Sequence, residues 1–371
     1  MKPVTDRCKV SRAKPAYLID ATAAPICIIA PISGWGAAVI SSLPEDSNLF
    51  TSGIGTMPAT VPFNLYALLS IIMVVGLCLF KPDFGPMAKC EAAAAKGDLG
   101  AADTDVETEK GSDKGTVWDL ILPVIVLIVV SALAMPENGG YFEGGMTIAE
   151  AFADCSSGPA LLIGSFAGLV WALIQFVPRR LISFKGFMDS IADGAKAMVT
   201  ADMILVLAWT ISGVCRDLLM TGEFVGEMVK TANIPIGILP VIVFVIASAL
   251  SFSMGTSWGT FGILIPIVFE ICEKVAPELM IITLAASLAG SVFGDHCSPI
   301  SDTTIMASAG AGCDHISHVS TQIPYCLTVA ACCCVGYIAG GFTGGNRIVT
   351  FGAGVVSLLA SLKFLHAKYG A

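Results

Sequence analysis

Charge is what this chain has least of. Only 13% of its 371 residues are Asp, Glu, Lys or Arg, about half of what a soluble globular domain carries. Charge is absent altogether from Ile121 to Met135 and from Pro240 to Met254. Apolar runs of this kind are too long for a core strand and match the roughly 18 or more residues that cross about 30 Å of hydrocarbon. With 55% hydrophobic residues and a mean hydropathy of +0.80, the chain reads as an all-α polytopic membrane protein. Other absences narrow its chemistry. There is no HExxH, and Val292 stands where the first glycine of a GxGD protease motif would be, so an enzyme is not expected. No cofactor is called for. No basic patch interleaved with aromatics is present, which excludes nucleic acid as a partner. The 13 cysteines contain no CxxC pair, and Cys332, Cys333 and Cys334 lie inside an apolar run, where thiols behave as small hydrophobes.

About nine apolar segments can be drawn, roughly 17–42, 58–80, 116–136, 158–178, 202–221, 236–255, 260–294 (a short helix, then a full one), 321–343 and 347–366. Three regions follow from them. Residues 1–80 hold the first membrane segments, including a broken helix. Residues 81–115 form a polar linker rich in Ala, Gly, Asp, Glu and Lys, read as solvated and disordered. Residues 116–371 form the main transport region. The net charge of −9 owes much to the linker and says little about a substrate. Lys and Arg alternate between connections: none in Pro44–Thr56, five in 81–115, none in Glu137–Ser157, then Arg179, Arg180, Lys185 and Lys196. The positive-inside rule then puts the N-terminus and the linker in the cytoplasm. Met188 to Thr200 reads as an amphipathic interfacial helix, and Arg216 as a side chain reaching the interface. The GxxxG pairs Gly164/Gly168 and Gly336/Gly340 read as helix-packing sites.

Three segments are interrupted by Gly, Pro, Ser and Thr, a pattern that frees backbone groups at membrane depth and is tolerated only where protein or a water-filled cavity satisfies them. The strongest is Gly294-Asp295-His296-Cys297-Ser298-Pro299-Ile300-Ser301-Asp302-Thr303-Thr304. Its hydroxyls and two carboxylates suit a hard cation that prefers oxygen. A carboxylate at such depth must be protonated or paired with a cation, and competition between H⁺ and Na⁺ for one carboxylate is what an exchanger needs. The second interruption, Ser251 to Thr260, offers Thr256 and Ser257 without any charge. The third runs from Asp20 through Pro25 to Pro31-Ile32-Ser33, which echoes Pro299-Ile300-Ser301.

Taken in order, the GDHCSPISDTT run, the GTSWGT run and the Asp20–Gly36 stretch resemble the NhaC-type sodium/proton antiporter family of bacterial membranes, from about Val4 to about Leu327. The resemblance implies Na⁺/H⁺ exchange by alternating access, on an inverted-repeat architecture with discontinuous helices. It points to Asp295, Ser298, Ser301, Asp302 and Thr303 as the cation and proton site, with Thr256 and Ser257 from the facing break and Asp20 and Ser33 beside them. Beyond transported Na⁺, no metal is expected. The expected partners are Na⁺, H⁺ and the lipid bilayer, the expected location is the bacterial inner membrane, and a homo-oligomer is compatible with all of this. Family members carry further spans before the position equivalent to Met1, so the chain is expected to lack N-terminal spans, and a non-functional antiporter fragment is one alternative. Another is a transporter for a different substrate coupled to Na⁺ or H⁺. An organic acid is one such substrate, and a divalent metal is another, because Cys313, His315 and His318 follow the strongest break and suit transition metals.

Overall fold

The computed structural model describes residues 2–30, 35, 39, 58–80, 83–100, 115–145, 147–148, 151–152, 155, 157–214, 218–220 and 235–369. They are predominantly helical, with no strand among them. Seven stretches are long and apolar enough to cross a membrane: Leu65–Ala95, Val117–Asn138, Gly158–Phe176, Ile236–Met254, Pro277–Cys297, His315–Phe342 and Arg347–Tyr369. The chain is an all-α multi-pass membrane protein. Two compact units are present, one of Met1–Pro31, Ala38–Asp103 and Thr200–Ala371, the other of Ile32–Ala37 and Thr104–Val199.

The first unit opens with α1 (Lys2–Arg7), α2 (Ala13–Ala21) and α3 (Ala24–Cys27), so the expected first span begins as two short helices parted just before Pro25. The residues after Ala30, Ser33 among them, lie outside the described set. Next come α4 (Leu65–Phe80) and α5 (Gly85–Ala95).

Helix α5 corrects the reading of 81–115 as a disordered linker. Its sequence, GPMAKCEAAAA, combines Pro in the first turn with strong helix formers. Met87 and Ala94 are fully buried. Glu91 Oε1 accepts from the Ser11 amide at 3.0 Å and the Ser11 hydroxyl at 2.6 Å, while Lys14 Nζ lies 2.7 Å from Asp83. Composition alone hid these partners because they stand about 80 residues away. Residues 101–114 lie outside the described set.

In the second unit α6 (Val117–Asn138) and α7 (Ser157–Phe176) form a pair. Asp119 accepts from the Thr116 amide at 2.7 Å and from Gln175 at 2.7 Å, and pairs with Arg179. The expected packing at Gly164 is present: a side chain there would collide with Ser131 and with the Leu127 carbonyl. Large apolar residues of both helices, including Leu120, Ile128, Leu133, Leu162 and Phe166, are exposed, the surface that lipid covers. Helix α8 (Phe184–Gly213) runs on past Val199, where the second unit ends, so the expected interfacial helix at 188–200 is not a separate element. Arg216 lies outside the described residues.

The rest of the first unit is α9 (Leu239–Met254), α10 (Ser257–Val275), α11 (Met280–Cys297), α12 (Asp302–Ala311), α13 (His315–Phe342) and α14 (Arg347–Tyr369). Helix α11 is the centre of this unit. Its most apolar window is 78% buried, against 11% for α6. It packs on α9 more extensively than any other described helix pair. Small residues permit this approach, since a side chain at Gly294 would meet the Ser248 carbonyl and, at 2.7 Å, the Phe252 amide. Gly336 and Gly340 of α13 similarly face Thr350 of α14.

Candidate cation and proton site

Both strong interruptions are real breaks, and they touch. Helix α9 ends at Met254. Gly255 takes a left-handed φ of +66°, Thr256 is extended at φ −150°, and α10 starts at Ser257. Only glycine adopts that φ without cost, and a side chain at Gly255 would run 2.8 Å from the Ile300 carbonyl. Ile300 belongs to the other break, where Ser298 and Ser301 are extended between α11 and α12. Across the junction, Ser298 Oγ donates to the Phe252 carbonyl at 2.9 Å, satisfying one of the acceptors that α9 leaves at its C-terminal end.

Asp295 sits at this junction, 2% exposed. Its Oδ2 accepts from Ser257 Oγ at 2.6 Å. Ser257 is the first residue of α10, so the carboxylate faces a helix N-terminus, whose dipole favours negative charge. Its other oxygen, Oδ1, has no hydrogen-bond partner among the described residues. Around it, Ser251 Oγ donates to the Ser291 carbonyl at 2.5 Å, Ser257 Oγ reaches the same carbonyl at 3.2 Å, and Thr260 Oγ1 donates to the Thr256 carbonyl at 2.9 Å. The surroundings are hydroxyl and carbonyl oxygens, the donor set of a hard monovalent cation.

The other expected residues divide. Ser298 and Ser301 are fully buried in the break, and Ser301 Oγ lies 3.1 Å from Thr303 Oγ1. Asp302 is half-buried in the first turn of α12, where it accepts from the Thr303 amide at 2.8 Å. Asp20 belongs to a different cluster. It is fully buried on α2, and its Oδ2 accepts from Gln322 Nε2 at 3.1 Å and lies 3.4 Å from His318 Nε2 and 3.9 Å from His296 Nε2. Ser33 lies outside the described residues.

Sequence reading missed several participants. Thr283, Ser287, Ser291 and Asp295 recur at every fourth residue of α11, which lines them along one helical face, and the first three are fully buried. That spacing was available as a signal. So was the i,i+4 pair His318 and Gln322, of which only Gln322 falls inside an expected apolar segment. His318 instead sits in the first turn of α13, while His315 Nε2 is 2.7 Å from the Pro299 carbonyl and Nδ1 3.1 Å from Ser308 Oγ. The Cys313–His315–His318 run is thus spread over separate contacts, and no group of three or more His, Cys, Asp or Glu side chains that could hold a metal occurs among the described residues.

The model of the Na⁺/H⁺ antiporter family matches residues 17–342, a stretch that contains both breaks. The chain belongs to the Na⁺/H⁺ antiporter family. It is 41% identical over 366 residues to an uncharacterized protein of Haemophilus influenzae, covering 96% of this chain and 69% of that one. It is 32% identical to an uncharacterized Na⁺/H⁺ antiporter of the same species, over 55% of this chain and 39% of the relative. It is 29% identical to the malate-2H⁺/Na⁺-lactate antiporter of Bacillus subtilis, over 46% and 37% respectively. The matched part therefore spans about two-thirds of the first relative and under two-fifths of the other two. No solved structure matches the chain significantly. The protein is accordingly a transporter of the antiporter class, and membership points away from an enzyme.

Proposed function

We propose that this antiporter exchanges Na⁺ for H⁺ by alternating access in a bacterial cytoplasmic membrane, with Asp295 as the group at which the two ions compete. One observation carries the reading: a buried carboxylate at the meeting of two broken helices, with one oxygen held by Ser257 and the other unpartnered among the described residues. Such a group is costly as a bare anion. A bound proton neutralises it, and so does a sodium ion held also by the oxygens of Ser257, Ser298, Ser301 and the Thr256 and Ser291 carbonyls. The two occupants exclude each other, so each turn exports one and imports the other. Asp302 and Thr303 line the approach from α12, and the buried hydroxyls of Thr283, Ser287 and Ser291 line an approach along α11. The names of the Haemophilus and Bacillus antiporters, both of which include Na⁺ and H⁺, support the same ion pair. Cytoplasmic placement of the N-terminus and of 81–115 follows from their Lys and Arg content.

The test is ²²Na⁺ uptake into proteoliposomes driven by a proton gradient, with and without malate and lactate. Gradient-dependent uptake that Asp295→Asn abolishes supports the reading. Uptake that survives Asp295→Asn in folded protein removes Asp295 from the exchange, and uptake that requires an organic acid changes the substrate.

A further inference from the structure

The hydroxyl-lined pocket uses one face of α11. The next residue, His296, points elsewhere, because consecutive residues on a helix are about 100° apart. Its ring lies against α2, α4 and α13: Nδ1 is 2.8 Å from Tyr66 Oη, and the ring stacks on Tyr17 at 6.2 Å. This second cluster contains Asp20 and His318, both fully buried, with Nε2 of His318 3.4 Å from Oδ2 of Asp20. Gln322 Nε2 bridges Asp20 and the His296 carbonyl. Four polar atoms of the cluster, Asp20 Oδ1, His318 Nδ1 and Nε2, and Gln322 Oε1, have no hydrogen-bond partner among the described residues, and His318 Nε2 meets Asp20 at ion-pair distance only. The titratable groups around Asp20 are Tyr17 of its own helix, Tyr66 of α4, His296 and Cys297 of α11, and His318 and Cys326 of α13, with the carboxylates of Asp295 on α11 and Asp302 on α12 near enough to interact with it through charge. No Lys or Arg is among them.

We infer that Asp20 and His318 form a second proton-carrying site, separate from the cation site at Asp295. The inference rests on the Na⁺/H⁺ exchange reading and adds to it a proton that never competes with sodium directly. The pair holds one proton, either as Asp20 carboxylic acid beside neutral imidazole or as carboxylate beside His318 imidazolium. Both forms are neutral overall. Releasing H⁺ to water leaves carboxylate and neutral imidazole, a net buried negative charge, and this is costly while the cluster stays dry. The proton therefore leaves when the cluster opens to water. Helix α11 touches both clusters, so its movement opens both within one cycle. Imidazole and carboxylate are proton chemistry, and the groups that meet the Asp20 carboxylate are nitrogens rather than the hydroxyl oxygen that meets Asp295. With one proton exchanged at Asp295 and one carried by the pair, the cycle moves more than one H⁺ per Na⁺.

Two measurements on the full chain decide this. The first is potentiometric proton uptake in sodium-free nanodiscs between roughly pH 9 and pH 5, a range in which an ordinary carboxylate stays ionised. Asp20→Asn takes up about one proton fewer than wild type if the pair carries a proton. Equal uptake overturns the inference. The second is the sodium gradient held at steady state by a tenfold proton gradient, with the membrane potential clamped at zero by valinomycin and equal K⁺. Wild type holds about a hundredfold Na⁺ gradient and Asp20→Asn about tenfold, since each coupled proton adds one factor of ten. A tenfold gradient in both overturns the inference and leaves the exchange reading intact. Absence of any Na⁺ gradient in wild type defeats the exchange reading, and proton uptake then still decides the second site. If Asp20→Asn fails to fold, His318→Gln supplies both readouts, with the same outcomes expected.

Discussion

The two sides of α11 differ in what they offer a buried charge. Towards α9 and α10, Asp295 meets the hydroxyl of Ser257, which like that of Ser251 also reaches the Ser291 carbonyl. Towards α2, α4 and α13, Asp20 meets two imidazoles and an amide. Oxygen dipoles can surround an alkali cation, whereas imidazole shares protons. One buried helix can therefore hold an ion-exchanging carboxylate and a proton-holding one without mixing them, because neighbouring residues diverge around its axis.

The sharpest way to break the comparison is Asp295→Asn, which removes the only acid on the hydroxyl side of α11 itself. Na⁺ flux should fall at least about a hundredfold, as truncating a buried, hydrogen-bonded charge costs a few kcal/mol, while the detergent melting temperature stays near that of wild type. Gly294→Val attacks both sides at once, because its side chain would force α11 off α9. A loss of up to about 3 kcal/mol is expected, read as a lower melting temperature. Ser257→Ala removes one hydrogen bond to a charged group, worth about 1.5–3 kcal/mol. It should raise the half-saturating Na⁺ concentration about tenfold or more, seen in flux assays at varied Na⁺. The smallest effect is outside both clusters. Lys14→Ala breaks the ion pairs to Asp83 and Glu91 and should lower stability by under about 1 kcal/mol, with faster amide exchange confined to α5.

Much of this arrangement was visible in the sequence. Long uncharged runs revealed the membrane helices, and Gly, Pro, Ser and Thr beside Asp295 marked the breaks, because both signals are local. What escaped reading depends on contacts between distant residues. Glu91 docks on Ser11, and Asp20 meets Gln322 some 300 residues later. Neither α5 nor the Asp20 cluster could be placed from spacing alone, since each polar residue looks solvent-exposed until its partner is known. The meeting of Ser257 with Asp295 at 2.6 Å matches the facing of two breaks that the family resemblance implies.

The central claim is that sodium and a proton occupy Asp295 in turn, and calorimetric Na⁺ titration in buffers of differing ionisation enthalpy tests it most directly. Wild-type protein should release about one proton for each sodium bound, and Asp295→Asn should release none. Sodium binding without proton release in wild type, or undiminished release in Asp295→Asn, would contradict it.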